Sequence, residues 1–338
     1  MTILLSRRQF FLFIFIAQTG SVFISFQRPL IDEAGRNAWL VFIGASLLHY
    51  LILILYEKNY KFFEIKSSVA YLYVLYWLFL SIVAISYVDY TLAEWAFPKT
   101  PQYIVLFLMV LVSFYCNIVK EEVAVNFGVF LLPMIVLFFA FLLMALREAE
   151  WTYLFPLGDA TVKEWGKGLF YAQYPFLGVE IYLFFRHYVN QQAVIKGMPL
   201  FLFQLFWTFF FTFTIIISLL FFPLAEISTI KEPIMYILKS QHVTFIERLD
   251  LFFIYIWMTW SIITITIFSF SAMHVYRKNN NKNRFKVVAL YHLLLLFVPL
   301  FLLTKDKVEF LQKLAIYVHP FFAYVIPLLI ILINRRRA

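Results

Sequence analysis

A glutamate inside an apolar run is the first residue of this chain with the means to do chemistry. Glu180 sits in the stretch YAQYPFLGVEIY, Tyr171 to Tyr182, which otherwise reads as a membrane span. A carboxylate near a bilayer midplane costs about 2.5–3.5 kcal/mol on insertion scales. Proline removes one backbone donor from a helix that must keep its hydrogen bonds internal. Three roles are open to Glu180: binding a ligand amine, taking up a proton, or tying a broken helix to its neighbour. Tyr174, Phe176 and Gly178 would flank a ligand beside it, with Pro175 and Gly178 shaping the backbone.

A second interruption lies at AQTGS, Ala17 to Ser21, in the middle of another apolar run. Freed N–H groups at a half-helix N-terminus suit a carboxylate. Gln18, Thr19, Gly20 and Ser21 would therefore form the wall opposite Glu180. An amino acid would find its carboxylate partners in the first interruption and its amine partner in the second. Sugars or nucleosides can use the same polar groups, and the hydroxyls of Thr19 and Ser21 can instead bond back to a preceding carbonyl. A third candidate surface is the hydroxyl-rich run WMTWSIITITIFSFSA. At helical spacing Ser261, Thr264 and Ser271 share one face, and Thr259, Thr266 and Ser269 nearly the opposite one. Thr264 is the favoured midplane contact, with Ser261 beside it; Tyr73, Tyr76 and Tyr87 share a face that can cap the site or simply pack.

These residues must be positioned by membrane helices. The 338 residues are 63% hydrophobic and 14% charged, against about 25% charged in a soluble domain, so the chain cannot cover a water-facing surface. A sequence pI of 9.4 invites a nucleic-acid reading, but the basic residues are scattered through short loops, where they set topology. Apolar windows of about 20 residues recur ten times, near 9–27, 37–56, 69–91, 102–119, 122–146, 168–186, 199–223, 249–276, 285–304 and 314–334. The start SRRQFFLFIFIAQTG imitates a signal peptide, yet the apolar character resumes at VFISF, and it reads as a retained first span. With the N-terminus cytoplasmic, the inner segments hold sixteen of the 28 Lys and Arg but four of the 19 Asp and Glu, and both termini lie inside.

Ten spans make a single transmembrane domain over 1–338, with pseudo-repeats 1–146 and 168–334. Five is odd, so the second half enters the membrane inverted. In inverted-repeat folds of the LeuT type the first helix of each half is discontinuous, and ligand binds where the two breaks meet. The expected fold is therefore all-α and integral to the membrane, with helices 1 and 6 broken at the two stretches above.

The segment SRRQFFLFIFIAQTGSVFISFQRPLIDEAGRNAWL resembles the opening of GerB-type subunits of bacterial spore germinant receptors. FPKTPQYIV, YPFLGVE, FIERLDLFFIYIW and YVHPFFAYVIPLL resemble later parts of the same spore germination family, in order along the whole chain; the departure is around QRPLIDEAG, where the family more often carries an apolar leucine-proline stretch. The resemblance implies the amino acid–polyamine–organocation superfamily, sensing of a small nutrient germinant at the spore inner membrane, and work with an A-type membrane subunit and a C-type lipoprotein. A secondary transporter of amino acids or amines on the same fold is the alternative. Enzymatic readings lack support: no phosphate-binding loop, G-x-S-x-G or dinucleotide fingerprint occurs. Neither a cofactor nor a metal is expected, since the six histidines lack close ligand spacing and Cys116 is the single cysteine. Asp32 and Glu33 suggest a lipid-linked glycosyltransferase, which would need larger outer loops than these.

Overall fold

The computed structural model describes residues 4–118, 131–190, 192–241, 248–279 and 284–337. The opening of the expected fifth span (122–130), residues 245–247 of the FIERLD stretch and 280–283 of the loop YRKNNNKNRFK lie outside them. Among the described residues the chain is helical and contains no strand; Leu5 and Val189 form an isolated bridge.

The helices are α1 (Arg7–Thr19), α2 (Gln27–Ala34), α3 (Ala38–Asn59), α4 (Ser67–Trp95), α5 (Gln102–Ile118), α6 (Leu131–Met144), α7 (Val162–Tyr171), α8 (Ile181–Phe185), α9 (Met198–Phe221), α10 (Leu224–Ile227), α11 (Pro233–Ser240), α12 (Leu249–Asn279), α13 (Arg284–Leu300), α14 (Lys305–Pro320) and α15 (Ile326–Arg335). Five stretches among the described residues are long and apolar enough to cross a bilayer: Gln27–Phe62, Ser67–Trp95, Met198–Phe221, Leu249–Arg277 and Lys305–Arg335. Gln102–Ile118 and Phe285–Leu300 are shorter apolar helices. Their outer faces carry large apolar side chains open to the surroundings, among them Leu51 on α3, Leu75 on α4, Leu108 on α5 and Phe209 on α9. Apolar exposure on this scale marks a lipid-facing surface. The protein is a multi-pass membrane protein.

The long helices frame the two short, interrupted ones. α12 lies along α4 and also touches α1 and α5; α9 packs on α3, α13 on α4 and α5, and α7 on α2 and α3. α7 opens with a capping box, Thr161 to Glu164, in which the Thr161 amide and hydroxyl hold the Glu164 carboxyl below its ordinary value. The last span is a single run bent at its middle. Pro320 ends α14, and a π-turn over Phe321–Val325 leads into α15. The Tyr73 hydroxyl donates to Phe322 O at 2.8 Å, and the Tyr56 hydroxyl donates to Ala323 O, so polar side chains from α4 and α3 hold carbonyls of the turn.

Both termini share one face of the molecule. Leu5 N donates to Tyr188 O at 2.8 Å and Asn190 N to Leu5 O at 3.0 Å, while Asn334 Nδ2 donates to Phe62 O at 2.9 Å. On this terminal face Arg186 makes a bidentate pair with Glu57, at 2.6 and 2.8 Å, and the Tyr182 hydroxyl adds a bond of 2.8 Å to the same carboxylate. Both side chains are about nine-tenths buried, and the guanidinium lies 4.4 Å above the Tyr60 ring. Removing one partner of such a pair leaves an uncompensated buried charge, at a cost of about 3–5 kcal/mol. Glu57→Ala is therefore expected to lower the thermal midpoint of the purified protein substantially. Lys58→Ala, the neighbour outside the pair, serves as the control that leaves it in place.

Candidate functional site

Both interruptions are present in the structure and touch each other. α1 stops at Thr19, and the chain runs through irregular turns to α2 at Gln27. α7 stops at Tyr171; a tight turn over Tyr174–Phe176 and further turns follow before α8. Across this second break the amides of Phe176, Leu177, Val179 and Ile181 bond three residues back. Pro175 brings no amide, and Gly178 has φ 94°, a conformation that L side chains rarely adopt. A Cβ at Gly178 would also crowd the Phe268 ring at 3.1 Å, whereas Ala17 O would stand in ordinary contact at 3.4 Å, so the positive φ is what calls for glycine.

Gln18 is the link between them. Its Nε2 donates to Phe176 O at 3.4 Å and lies 3.0 Å from His49 Nε2. His49 Nδ1 is 2.8 Å from Gln204 Oε1. An amide oxygen only accepts, so Nδ1 carries the proton and Nε2 accepts from Gln18. The His49 ring stacks on Phe176 at 4.4 Å and on Trp207 at 5.3 Å. Gln18 Oε1 remains buried without a partner. Sequence reading missed His49 and Gln204. The signal for Gln204 was its four-residue spacing to Thr208 and Thr212 on α9, and for His49 the nearby Ser46 on α3.

The hydroxyl face of α12 serves the first break. Ser261 Oγ donates to Gly20 O at 2.9 Å, and Thr264 Oγ1 donates to Ile16 O at 2.7 Å. A Cβ on Gly20 would come within 2.8 Å of Trp260 O and collide with the Thr264 hydroxyl, so this glycine admits α12 to the break. Thr19 Oγ1 bonds back to Phe15 O at 2.7 Å, which was the alternative open to it. Between the breaks is a cavity of about 10 Å³, lined by Ala17, Ser21, Ala84, Tyr87, Tyr174 and Leu177 among others. That is room for about one water molecule. In this packing the space between the breaks is closed.

The family described as "Spore germination protein", the spore permeases, matches residues 4–311. The chain belongs to that family. No curated protein matches it significantly.

In this spore germination protein Glu180 stands behind the second break and is absent from the lining of the midplane cavity. It is fully buried, and its Oε1 accepts from Trp77 Nε1 at 2.8 Å while Oε2 has no partner. Tyr76 OH lies 3.2 Å from His319 Nδ1 in the last span. Tyr73 and Tyr76 thus turn toward the last span, and Tyr87 alone of the three tyrosines lines the cavity. Phe176 contributes its carbonyl and its stacked ring, whereas Tyr174 lines both the midplane cavity and a second one opening on the face opposite the termini. That second cavity draws on residues the sequence reading passed over: Ser25, Lys231, Glu309 and Gln312. Burial lowers the Lys231 ammonium below its ordinary value, opposed by Glu232 and Glu309. Asp89, on α4, is a further buried carboxylate with neither oxygen partnered. No group of three or more His, Cys, Asp or Glu among the described residues is placed to hold a metal ion.

The hydroxyl bonds to the first break can be tested directly. Ser261→Ala leaves Gly20 O buried without its donor, a cost of about 1–3 kcal/mol, and should lower the unfolding temperature of the protein in detergent. Thr259→Ala removes an exposed hydroxyl that bonds Tyr255 O within its own helix, and the temperature should stay within about a degree. Equal effects from the two would mean that the α12 hydroxyls do not hold the break.

Proposed function

We propose that this protein is the B-type subunit of a spore nutrient-germinant receptor, non-enzymatic, binding a small germinant at the midplane where the two helix breaks meet. The observation that carries the reading is the Gln18–Phe176 contact between two interrupted segments, found in a member of the spore germination family. Breaks of this kind belong to the ten-span, five-plus-five inverted repeat, in which discontinuous helices supply the ligand with backbone groups. Membership of the family supports placement in the spore inner membrane with A-type and C-type subunits as partners. The excess of basic residues on the terminal face supports cytoplasmic termini.

The closed cavity has a mechanistic consequence under this reading. About 10 Å³ admits no amino acid, so ligand must bind a second packing in which the breaks stand further apart. A ligand moves such an equilibrium only by its differential affinity for the two packings. Partner subunits would then read the change in packing rather than the ligand itself. Gln18, Ser21, Tyr87 and Tyr174 would contact the ligand, with Thr19, Gly20, Phe176 and Gly178 shaping the walls and Ser261 and Thr264 holding the first break. Glu180 would act through Trp77 on the position of α8.

The family's permease title gives weight to a second reading, a secondary transporter of amino acids or amines. Uptake separates the two: a transporter accumulates substrate in liposomes with no partner protein present. For the receptor reading, Ala84→Val places two methyl groups in the cavity. Spores carrying it at normal protein level should need at least tenfold more germinant for half-maximal response. An unchanged response would remove the midplane cavity from the mechanism.

A further inference from the structure

The cavity on the face opposite the termini carries unpartnered charge of both signs. Its volume is about 150 Å³, and its walls include Ser25, Tyr174, Lys231, Glu309 and Gln312. Lys231 Nζ and one carboxylate oxygen of Glu309, Oε1, are buried there without a hydrogen-bond partner, on side chains that are otherwise half-buried; Arg28, Asp32 and Lys313 also line the walls. The two come from segments remote in sequence, Lys231 from the connection between α10 and α11 and Glu309 from the first turns of α14. Lys231 interacts electrostatically with the adjacent Glu232 and then with Glu309, and makes a hydrogen bond or ion pair with neither. The ammonium lies 4.1 Å from the centre of the Tyr90 ring and 5.8 Å from that of Tyr87, faces that attract a cation but leave its N–H groups without acceptor oxygens. The nearby Arg28 is already engaged with Asp32 at 3.6 Å.

Burying a charge without hydrogen bonds is costly, and proteins keep such groups where a partner arrives. A cation and an anion that line one cavity without bonding each other are complementary to a molecule bearing both charges. We propose that this cavity is an outer binding site for a small zwitterion of the α-amino-acid class, its carboxylate on Lys231 and its ammonium on Glu309. The volume selects for compact members of that class, because pockets for drug-sized ligands run from about 300 Å³ upward. Tyr174 forms the partition between this site and the midplane cavity, since its side chain lines both. Gln312 Nε2 donates to the Tyr174 hydroxyl at 3.1 Å, fixing the partition to α14, the helix that also supplies Glu309. A ligand ammonium drawn to Glu309 therefore acts on the helix that holds the partition shut. The proposal deepens the ligand-binding reading above by naming a ligand class and a first stop on the way to the midplane.

The test uses the full chain purified in detergent and reads thermal protection. The probes are the proteinogenic amino acids, sugars and nucleosides, first pooled and then singly, with the methyl ester and N-acetyl derivative of any amino acid that protects. Lys231→Met and Glu309→Gln are each expected to raise the half-maximal concentration of a protective amino acid at least tenfold. The methyl ester, which lacks the carboxylate, should be sensitive to Glu309→Gln and indifferent to Lys231→Met; the N-acetyl derivative should show the reverse. Protection that is unchanged in both variants but weakened by Ala84→Val would overturn the outer site and leave the midplane reading standing. Protection by sugars or nucleosides alone would overturn the zwitterion assignment while sparing the midplane site. Protection by no small molecule would overturn both.

Discussion

The structure depends on one constraint: backbone groups freed inside an apolar interior must find partners there. A continuous membrane helix meets the requirement by itself, and this chain forgoes that solution in two places. Both breaks draw on side chains from elsewhere. Ser261 on α12 serves Gly20 O, which accepts no main-chain bond, while Thr264 and Gln18 add second donors to Ile16 O and Phe176 O, which also accept from the Gly20 and Val179 amides, and Tyr56 and Tyr73 serve the π-turn in the last span. The long helices are thereby placed by what they donate. α12 lies against α1 with a glycine at the crossing, and α4 faces both the second break and the last span through Trp77, Tyr73 and Tyr76.

The two faces of the molecule are built unequally. On the terminal face, Leu5 pairs by main-chain bonds with the segment after α8, and Glu57 clamps Arg186 and Tyr182 in a nearly dry setting. On the opposite face a charged cavity reaches inward as far as Tyr174. The terminal face is held by a buried bidentate pair and main-chain bonds, and Tyr174 on the other face by neutral hydrogen bonds with Gln312 and Ser25. Neutral bonds contribute about half as much as charge-assisted ones. Under the proposed reading, entry from the face without the termini would break the weaker set of bonds.

Much of this was legible in the sequence, and the part that was not shares a physical cause. Pro175 with Gly178, and Gly20 amid polar neighbours, marked the breaks because backbone chemistry is local: a missing amide or a positive φ is written in the residue itself. The hydroxyl face of Ser261 and Thr264 was legible from periodicity, but its task was not. The same hydroxyls that would suit a ligand are spent on carbonyls of α1. Glu180 shows the limit most clearly. Its burial follows from its place in an apolar run, but its direction depends on where Trp77 stands, about a hundred residues earlier. Lys231 and Glu309 belong to no motif in the sequence, and only the approach of α14 to the segment before α11 gives them a shared cavity.

The network around the second break bears on how a change at the midplane would spread. Gln173 accepts from Tyr324 in the π-turn at 2.6 Å, Tyr174 accepts from Gln312 on α14, and Glu180 accepts from Trp77 on α4. The second break is thus joined at three successive levels to the last span and to α4, whereas the first is joined chiefly to α12. Because α4 and α12 lie along one another, the two sets of bonds share a single pair of long helices as their support. Displacing one break relative to the other must then either shear α4 against α12 or break bonds on one side alone. The second is the cheaper course: three or four neutral hydrogen bonds contribute about 0.5–1.5 kcal/mol each, while sliding two interdigitated helices disrupts a long apolar contact. The expected motion is therefore a hinge at the breaks against a fixed α4–α12 pair, and the orphaned oxygens of Gln18 and Glu180 stand where new bonds would form as the old ones part.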